Sequence, residues 1–184
     1  MTTSYYTATS LDGYLADTDN SLDWLFAVAD EEEATSDVDD FYAGIGALCM
    51  GATTYEWIAA NNPAGYWAEN YGDRPCWVFT HRNLPEIPGA TLRFVSGAVE
   101  PVHQEMVEAA GERDIWVMGG GDLAGQFADA GLLDEVIVGI TPVTLGGGAP
   151  LLPRRILSDR MRLVSVERMG QFAKLGYRLD GAAT

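Results

Sequence analysis

Residues 115–127 read IWVMGGGDLAGQF: a continuous apolar run, three glycines, an acid and a pattern that can start a helix. A strand apolar at every position needs cover on both faces, and helices leaving the carboxyl ends of such strands provide it in parallel sheets. The same order occurs upstream. A buried strand over residues 45–50 is followed by GATTYEWIAANNP, with Thr53 or Thr54 at the N-cap, Glu56 in the first turn and Pro63 as the stop. CWVFT and TLRFV read as strands, and EPVHQEMVEAAG as a helix closed by glycine. SYYTATS reads as the first strand, stopped by the turn-prone LDG, and DFYAGIGALCMG as a weak helix feeding a strand. After Asp134 the rhythm changes: DEVIVGITPV is a long strand, TLGGGAPLLP a loop, and RLVSVERMGQFAKLGYRLD two antiparallel strands joined near Gly170. The expectation is an α/β fold with a mixed, mostly parallel sheet flanked by helices, ending in an antiparallel strand pair, as one domain over residues 1–184.

Composition narrows what such a fold can do. A chain of 184 residues, 47% hydrophobic, can bury one sizeable core and is short for two. No apolar run approaches the roughly 20 residues that cross a bilayer, and the start MTTSYYTATS lacks the pattern of a secretory signal, so a cytoplasmic protein is expected. A formal charge of −16 repels nucleic acid and anionic membranes, and neither is an expected partner. The acidic run over residues 30–40 reads as a solvated loop and helix start. Cys49 and Cys76 sit in apolar runs and read as buried reduced thiols; with His81 and His103 the only histidines, no metal site is expected.

In open α/β sheets, ligands bind beyond the carboxyl ends of the strands, where helix N-termini offer unpaired N–H groups and partial positive charge. Three strand ends carry suitable residues: Gly51, Ala52, Thr53 and Thr54; Thr80, His81 and Arg82; and Gly119, Gly120, Gly121, Asp122 and Leu123. Each turn alone is explained as well by backbone geometry. Two glycines suffice for a turn, however, and a third points to something approaching the backbone closely. GGGDLA also fits the dinucleotide fingerprint G-x-G-x-x-A, but that motif belongs to the first β-α turn of its fold, with an acid about 20 residues on. Here most of the chain precedes it, and Asp134 and Glu135 come too early.

Taken in order, TATSLDGYLA, LCMGATTYE, WVFTHR and IWVMGGGDLAGQFADAGLLDEVIVGITPVTLGGGAPLL resemble the dihydrofolate reductase-like superfamily. The nearer resemblance is to its bacterial stand-alone branch, related to the reductase domain of riboflavin biosynthesis, and it spans residues 4–180. It implies NADPH lying across the three strand ends. The helix beginning at Gly51, Ala52, Thr53 and Thr54 would face the cofactor's phosphates. Thr80 and Arg82, flanking His81, would hold the adenosine 2′-phosphate, a role that suits a guanidinium in so acidic a chain. The backbone of Gly119, Gly120, Gly121, Asp122 and Leu123 would meet the pyrophosphate. Ala52 stands where many dihydrofolate reductases carry arginine, so the 2′-phosphate would rest on Arg82 and hydroxyls.

The implied reaction is hydride transfer to a C=N or C=O carbon of a small heterocyclic or sugar-amine substrate, and a homodimer is expected. The nearest named activity is 5-amino-6-(5-phosphoribosylamino)uracil reduction. Substrate would lie near Ser10, Leu11, Asp12, Trp24 and Tyr55, with Asp12, Trp24 and Tyr55 as catalytic candidates. Asp12 in SLDG reads first as a turn residue bonding its own backbone, and second as an active-site carboxylate. Asp23 and Trp24 likewise read as a helix cap and a core aromatic. Asp37, Asp39 and Asp40 lie where dihydrofolate reductases keep a proton-tuning carboxylate, but in no matching motif. Met118 stands where the riboflavin reductases usually carry glutamate, and Arg74, Arg154 and Arg155 read as surface residues. Trp57, Trp67, Trp77 and Trp116 read as core or interface filling, and Gly146, Gly147 and Gly148 as a structural loop. Two alternatives stand beside this reading: a noncatalytic nucleotide-binding or scaffolding module, and dihydrofolate reductase itself.

Overall fold

The computed structural model describes residues 1–28 and 31–180, apart from the side chains of residues 31–37. Asp37 and most of the acidic run therefore lie outside the described side chains; Asp39 and Asp40 are exposed. In chain order the elements are β1 (Thr3–Thr9), β2 (Tyr14–Ala16), α1 (Asp23–Phe26), α2 (Glu31–Gly44), β3 (Ile45–Gly51), α3 (Ala52–Asn61), α4 (Tyr66–Asn70) and β4 (Cys76–Phe79). They continue with β5 (Leu92–Val95), α5 (Val99–Ala110), β6 (Asp114–Gly119), α6 (Gly121–Asp129), β7 (Glu135–Ile140), β8 (Ala149–Pro150), β9 (Met161–Met169) and β10 (Phe172–Leu179).

Eight strands form one sheet in the order β5-β4-β3-β6-β1-β7-β10-β9. The first six in that order pair in parallel, while β10 pairs antiparallel with both β7 and β9. This is the mixed sheet with a C-terminal antiparallel pair that the strand rhythm predicts.

The apolar runs are continuous because their strands are buried on both faces. Ala47 and Cys49 of β3 face one core with Ile115 and Val117 of β6, while Leu48, Met50 and Trp116 face the other. The first core is closed by α5 and α6 through Val102, Met106, Leu123, Ala124 and Phe127. The second is closed by α3 and α4 through Tyr55, Ile58 and Trp67, with Phe41 and Tyr42 of α2 against it. Cys49 and Cys76 are buried free thiols, and burial pushes the thiol pKa of both up.

Three elements carry no strong signal in the sequence. The short strands β2 and β8 pair antiparallel as a small separate sheet, and α4 is little more than one turn. The N-terminus of α3 also differs from the expectation. Its N-cap is Gly51 rather than Thr53 or Thr54, so both threonines lie inside the first turn and Glu56 falls beyond it.

Candidate functional site

The two helices that matter depart from neighbouring parallel strands to opposite faces of the sheet. β3 leads into α3 on one side, and β6 leads into α6 on the other. Where successive connections diverge in this way a crevice opens at the strand ends. A Cβ built on Gly51 would lie 3.8 Å from the Gly120 nitrogen, so the two N-caps are adjacent. Neither helix carries a side-chain cap, and α3 has no acid in its first turn. The first-turn N–H groups of both helices are thus left without side-chain acceptors and carry the positive end of each helix dipole.

The three glycines between β6 and α6 have three different reasons. Gly119 adopts φ +143, a conformation L side chains rarely take. A Cβ on Gly121 would collide with the backbone carbonyls of Pro150 and Leu151. Gly120 is joined to Gly119 by a cis peptide bond, has φ −80 and ψ −177, and a Cβ there would meet nothing within 4 Å. No neighbouring protein atom accounts for it.

A cleft of about 520 Å³ opens over these turns, within the range of small-molecule sites. Gly51, Ala52, Thr53, Thr54, Gly119, Gly120, Gly121, Asp122 and Leu123 all line it. It continues past Thr7 of β1, Met118 of β6, Phe79 of β4 and Trp57 of α3. Leu15, Ala16, Ala149 and Pro150, from the small β2–β8 sheet, form a further wall.

Thr80, His81 and Arg82 are not among the lining residues. The Thr80 hydroxyl accepts the Arg82 N–H at 2.9 Å, closing a tight turn. The Arg82 guanidinium donates through both Nη atoms to Glu56 of α3, at 2.9 and 2.7 Å. The cation expected to be free for a phosphate is therefore paired.

None of the three catalytic candidates, Asp12, Trp24 and Tyr55, is among the residues that line the cleft. Tyr55 is fully buried in the second core; its hydroxyl donates to the Pro85 carbonyl at 2.6 Å and accepts the Ile87 N–H. It lies on the core face of α3, whereas Ala52, Thr53, Thr54 and Trp57 line the cleft. Trp24 is half-buried, its indole N–H enclosed without an acceptor among the described residues, and Asp23 is the first helical residue rather than the cap. Asp12 takes its structural role: its carboxylate accepts the Ser10 hydroxyl at 2.6 Å and the N–H groups of Leu145 and Gly146. Those bonds, the Ser10 hydroxyl first, hold its pKa down at about 2. Ser10 is buried and Leu11 exposed, and neither lines the cleft.

Other residues belong to the site without a sequence signal. Trp57, expected as filling, faces the cleft and stacks on Phe26 with ring centroids 6.0 Å apart. Thr7 and Leu15 stand on strands whose facing could not be assigned before the register was known. Asp122 is the one charged side chain among the described lining residues. It accepts from Gln126 at 2.9 Å and pairs with Arg154 at 3.0 Å; those two contacts, the Gln126 bond first, hold its pKa below the ordinary range. Of the arginines read as surface residues, Arg74 donates to the carbonyls of Ile45, Tyr71 and Tyr42, whereas Arg155 is exposed.

Comparison with known proteins places this architecture. A family model, the RibD C-terminal domain, matches residues 3–175. The chain belongs to the RibD C-terminal domain family. Within reach of that family is the uncharacterized protein YwjB of Bacillus subtilis, 31% identical over 177 residues, covering 95% of this chain and 96% of that protein. Among solved structures, a Shewanella sp. PV-4 protein assigned to riboflavin biosynthesis superposes with a TM-score of 0.78 at 24% identity, over 98% of this chain and 99% of that one. Dihydrofolate reductase from Enterococcus faecalis, complexed with NADP(H), superposes with a TM-score of 0.61 at 14% identity, over 97% and 96%. The RibD C-terminal domain seen here therefore has a dihydrofolate reductase-like fold. Among the described residues no helix is long and apolar enough to cross a membrane.

Proposed function

We propose that this chain is a nicotinamide-nucleotide-dependent reductase of a small acceptor, with its cofactor seated in the cleft between α3 and α6. The observation that carries the reading is Gly120: a backbone position open to the cleft, flanked by two uncapped helix N-termini, where a side chain would occupy space that no protein atom uses. Such a cradle fits a pyrophosphate, whose oxygens need N–H donors at close range. The first-turn amides after Gly51 and Gly120 would hold it, with the Thr53 and Thr54 hydroxyls beside them. The reduced nicotinamide supplies hydride when bound.

The chain's own contribution is positioning and exclusion of water. Trp57, Leu15, Leu22, Phe79 and Met118 give the rest of the cleft apolar, partly aromatic walls, which suit a planar acceptor. Asp122 is held ionised by Arg154 and Gln126 and does not serve as proton donor near neutral pH. No lysine, arginine or histidine is among the described lining residues. With the helix N-termini occupied by the cofactor, a second phosphate would lack a cation among those residues. We therefore favour an unphosphorylated heterocycle as the acceptor over 5-amino-6-(5-phosphoribosylamino)uracil.

Titration of NADPH and NADH, followed by nicotinamide fluorescence, tests the reading. Binding well below millimolar is expected, with a loss of at least about tenfold in Gly120→Val, whose added methyl groups would fill the cradle. Equal binding by wild type and Gly120→Val would remove the cradle from the account.

A further inference from the structure

The Arg82–Glu56 pair bears on which nucleotide the cleft accepts. This inference rests on the proposed reductase reading. Phe79, the residue before the Thr80–Arg82 turn, lines the cleft, and so does Thr53, three residues before Glu56 on α3. The pair thus sits just outside the cleft, beside the helix end that would receive the cofactor. Its geometry is fork to fork: Nη1 on Oε1 at 2.9 Å and Nη2 on Oε2 at 2.7 Å. The Arg82 N–H is tied to the Thr80 hydroxyl, which fixes the backbone from which the guanidinium extends.

A 2′-phosphate distinguishes NADPH from NADH by about two negative charges at the adenosine ribose. Selectivity for it needs net positive potential at that spot, commonly an arginine free to offer paired N–H donors. Here the donors face a carboxylate, and the pair as a whole is neutral. To reach Arg82, a phosphate dianion would have to displace Glu56 and then sit beside the freed carboxylate in a chain of net charge −16. Ala52, at the start of α3, offers no second cation. The pair is exposed, at 56% and 44%, so it is reachable by a ligand and also modest in strength. Its influence on nucleotide choice comes from cancelled charge rather than from a rigid block.

We infer that Glu56 is a cofactor-specificity residue: by neutralising Arg82 it withholds the preference for NADPH that the arginine would otherwise confer, so that NADH is accepted alongside NADPH. The neutral pair leaves ribose hydroxyls without penalty, since the carboxylate can also accept from them.

The test is the ratio of dissociation constants for NADH and NADPH, measured by nicotinamide fluorescence at low salt, in wild type, Glu56→Gln and Glu56→Gln/Arg82→Ala. Glutamine keeps the shape and the exposed position, and circular dichroism and melting temperature report whether the fold is kept. The expected result is a shift of about tenfold toward NADPH in Glu56→Gln, the scale of one charge-assisted contact, with the shift abolished when Arg82 is also removed. A shift of less than threefold, or one that survives loss of Arg82, would overturn the inference while leaving the reductase reading intact. Failure of wild type to bind either nucleotide at millimolar concentration would overturn both.

Discussion

Gly119, Gly120 and Gly121 read alike as letters, and the structure separates them. Gly119 is needed for a positive φ, Gly121 for contact with the Pro150 and Leu151 carbonyls, and Gly120 for neither. Gly121→Ala would force its Cβ into backbone atoms that cannot rotate away, so it should destabilise the fold by about 1–3 kcal/mol. Gly120→Ala should cost clearly less. Urea denaturation of the two variants decides; a Gly120→Ala loss as large as that of Gly121→Ala would contradict the assignment. A sequence can announce an unusual density of glycine, but not which Cβ would strike the 150–151 backbone, because that depends on a loop some thirty residues away. Tyr55 was equally opaque. It lies beside Thr53 and Thr54, which face the cleft, yet the turn of α3 carries it into the second core, and a helix of mixed composition gives no clear apolar stripe from which to foresee that. Trp57, two residues later, returns to the cleft side.

At the scale of elements, the cleft wall depends on contacts between segments far apart in the chain. Asp12 joins the β1–β2 turn to residues 145 and 146, and β2 then pairs with β8. The carboxylate is bonded only in the folded chain, so its folded pKa, about 2, lies below the ordinary value of about 3.9. A depressed folded pKa contributes stability that is fully present above the unfolded value and is lost as pH falls through the folded one. Stability of wild type should therefore fall more steeply than that of Asp12→Asn between about pH 4 and pH 2, as measured by thermal melts across that range. Parallel slopes would show that the bonds from Ser10, Leu145 and Gly146 contribute nothing in solution. Asp12 illustrates what local reading can reach: SLDG announced a turn-forming acid correctly, while its partners, more than 130 residues on, belong to the tertiary structure. The N-terminus of α3 shows the opposite error. Threonine is a favoured cap, but Gly51 already has the extended dihedrals of an N-cap, leaving Thr53 and Thr54 free to face the cleft.

For the whole molecule, the sheet and the position of its crevice were legible because they follow from rules that act on long stretches. Doubly apolar strands require cover on both faces, helices between them make the pairing parallel, and the crevice opens where connections diverge. The small β2–β8 sheet was not legible, since strands of three and two residues have too few side chains to show a period. Nor was the pairing of Arg82 with Glu56, a choice between two ligands for one cation that only the folded surface presents. What the fold concentrates is a pair of uncapped helix ends in a strongly anionic chain, and the proposed reading has a bound anion held by backbone dipoles rather than by side-chain charge. A crystal structure with NADPH bound tests that claim most directly. The pyrophosphate oxygens are expected within about 3 Å of first-turn amides of α3 and α6, against the Gly120 backbone. Nucleotide seated elsewhere on the molecule, or held in the cleft by side-chain cations with those amides unused, would contradict it.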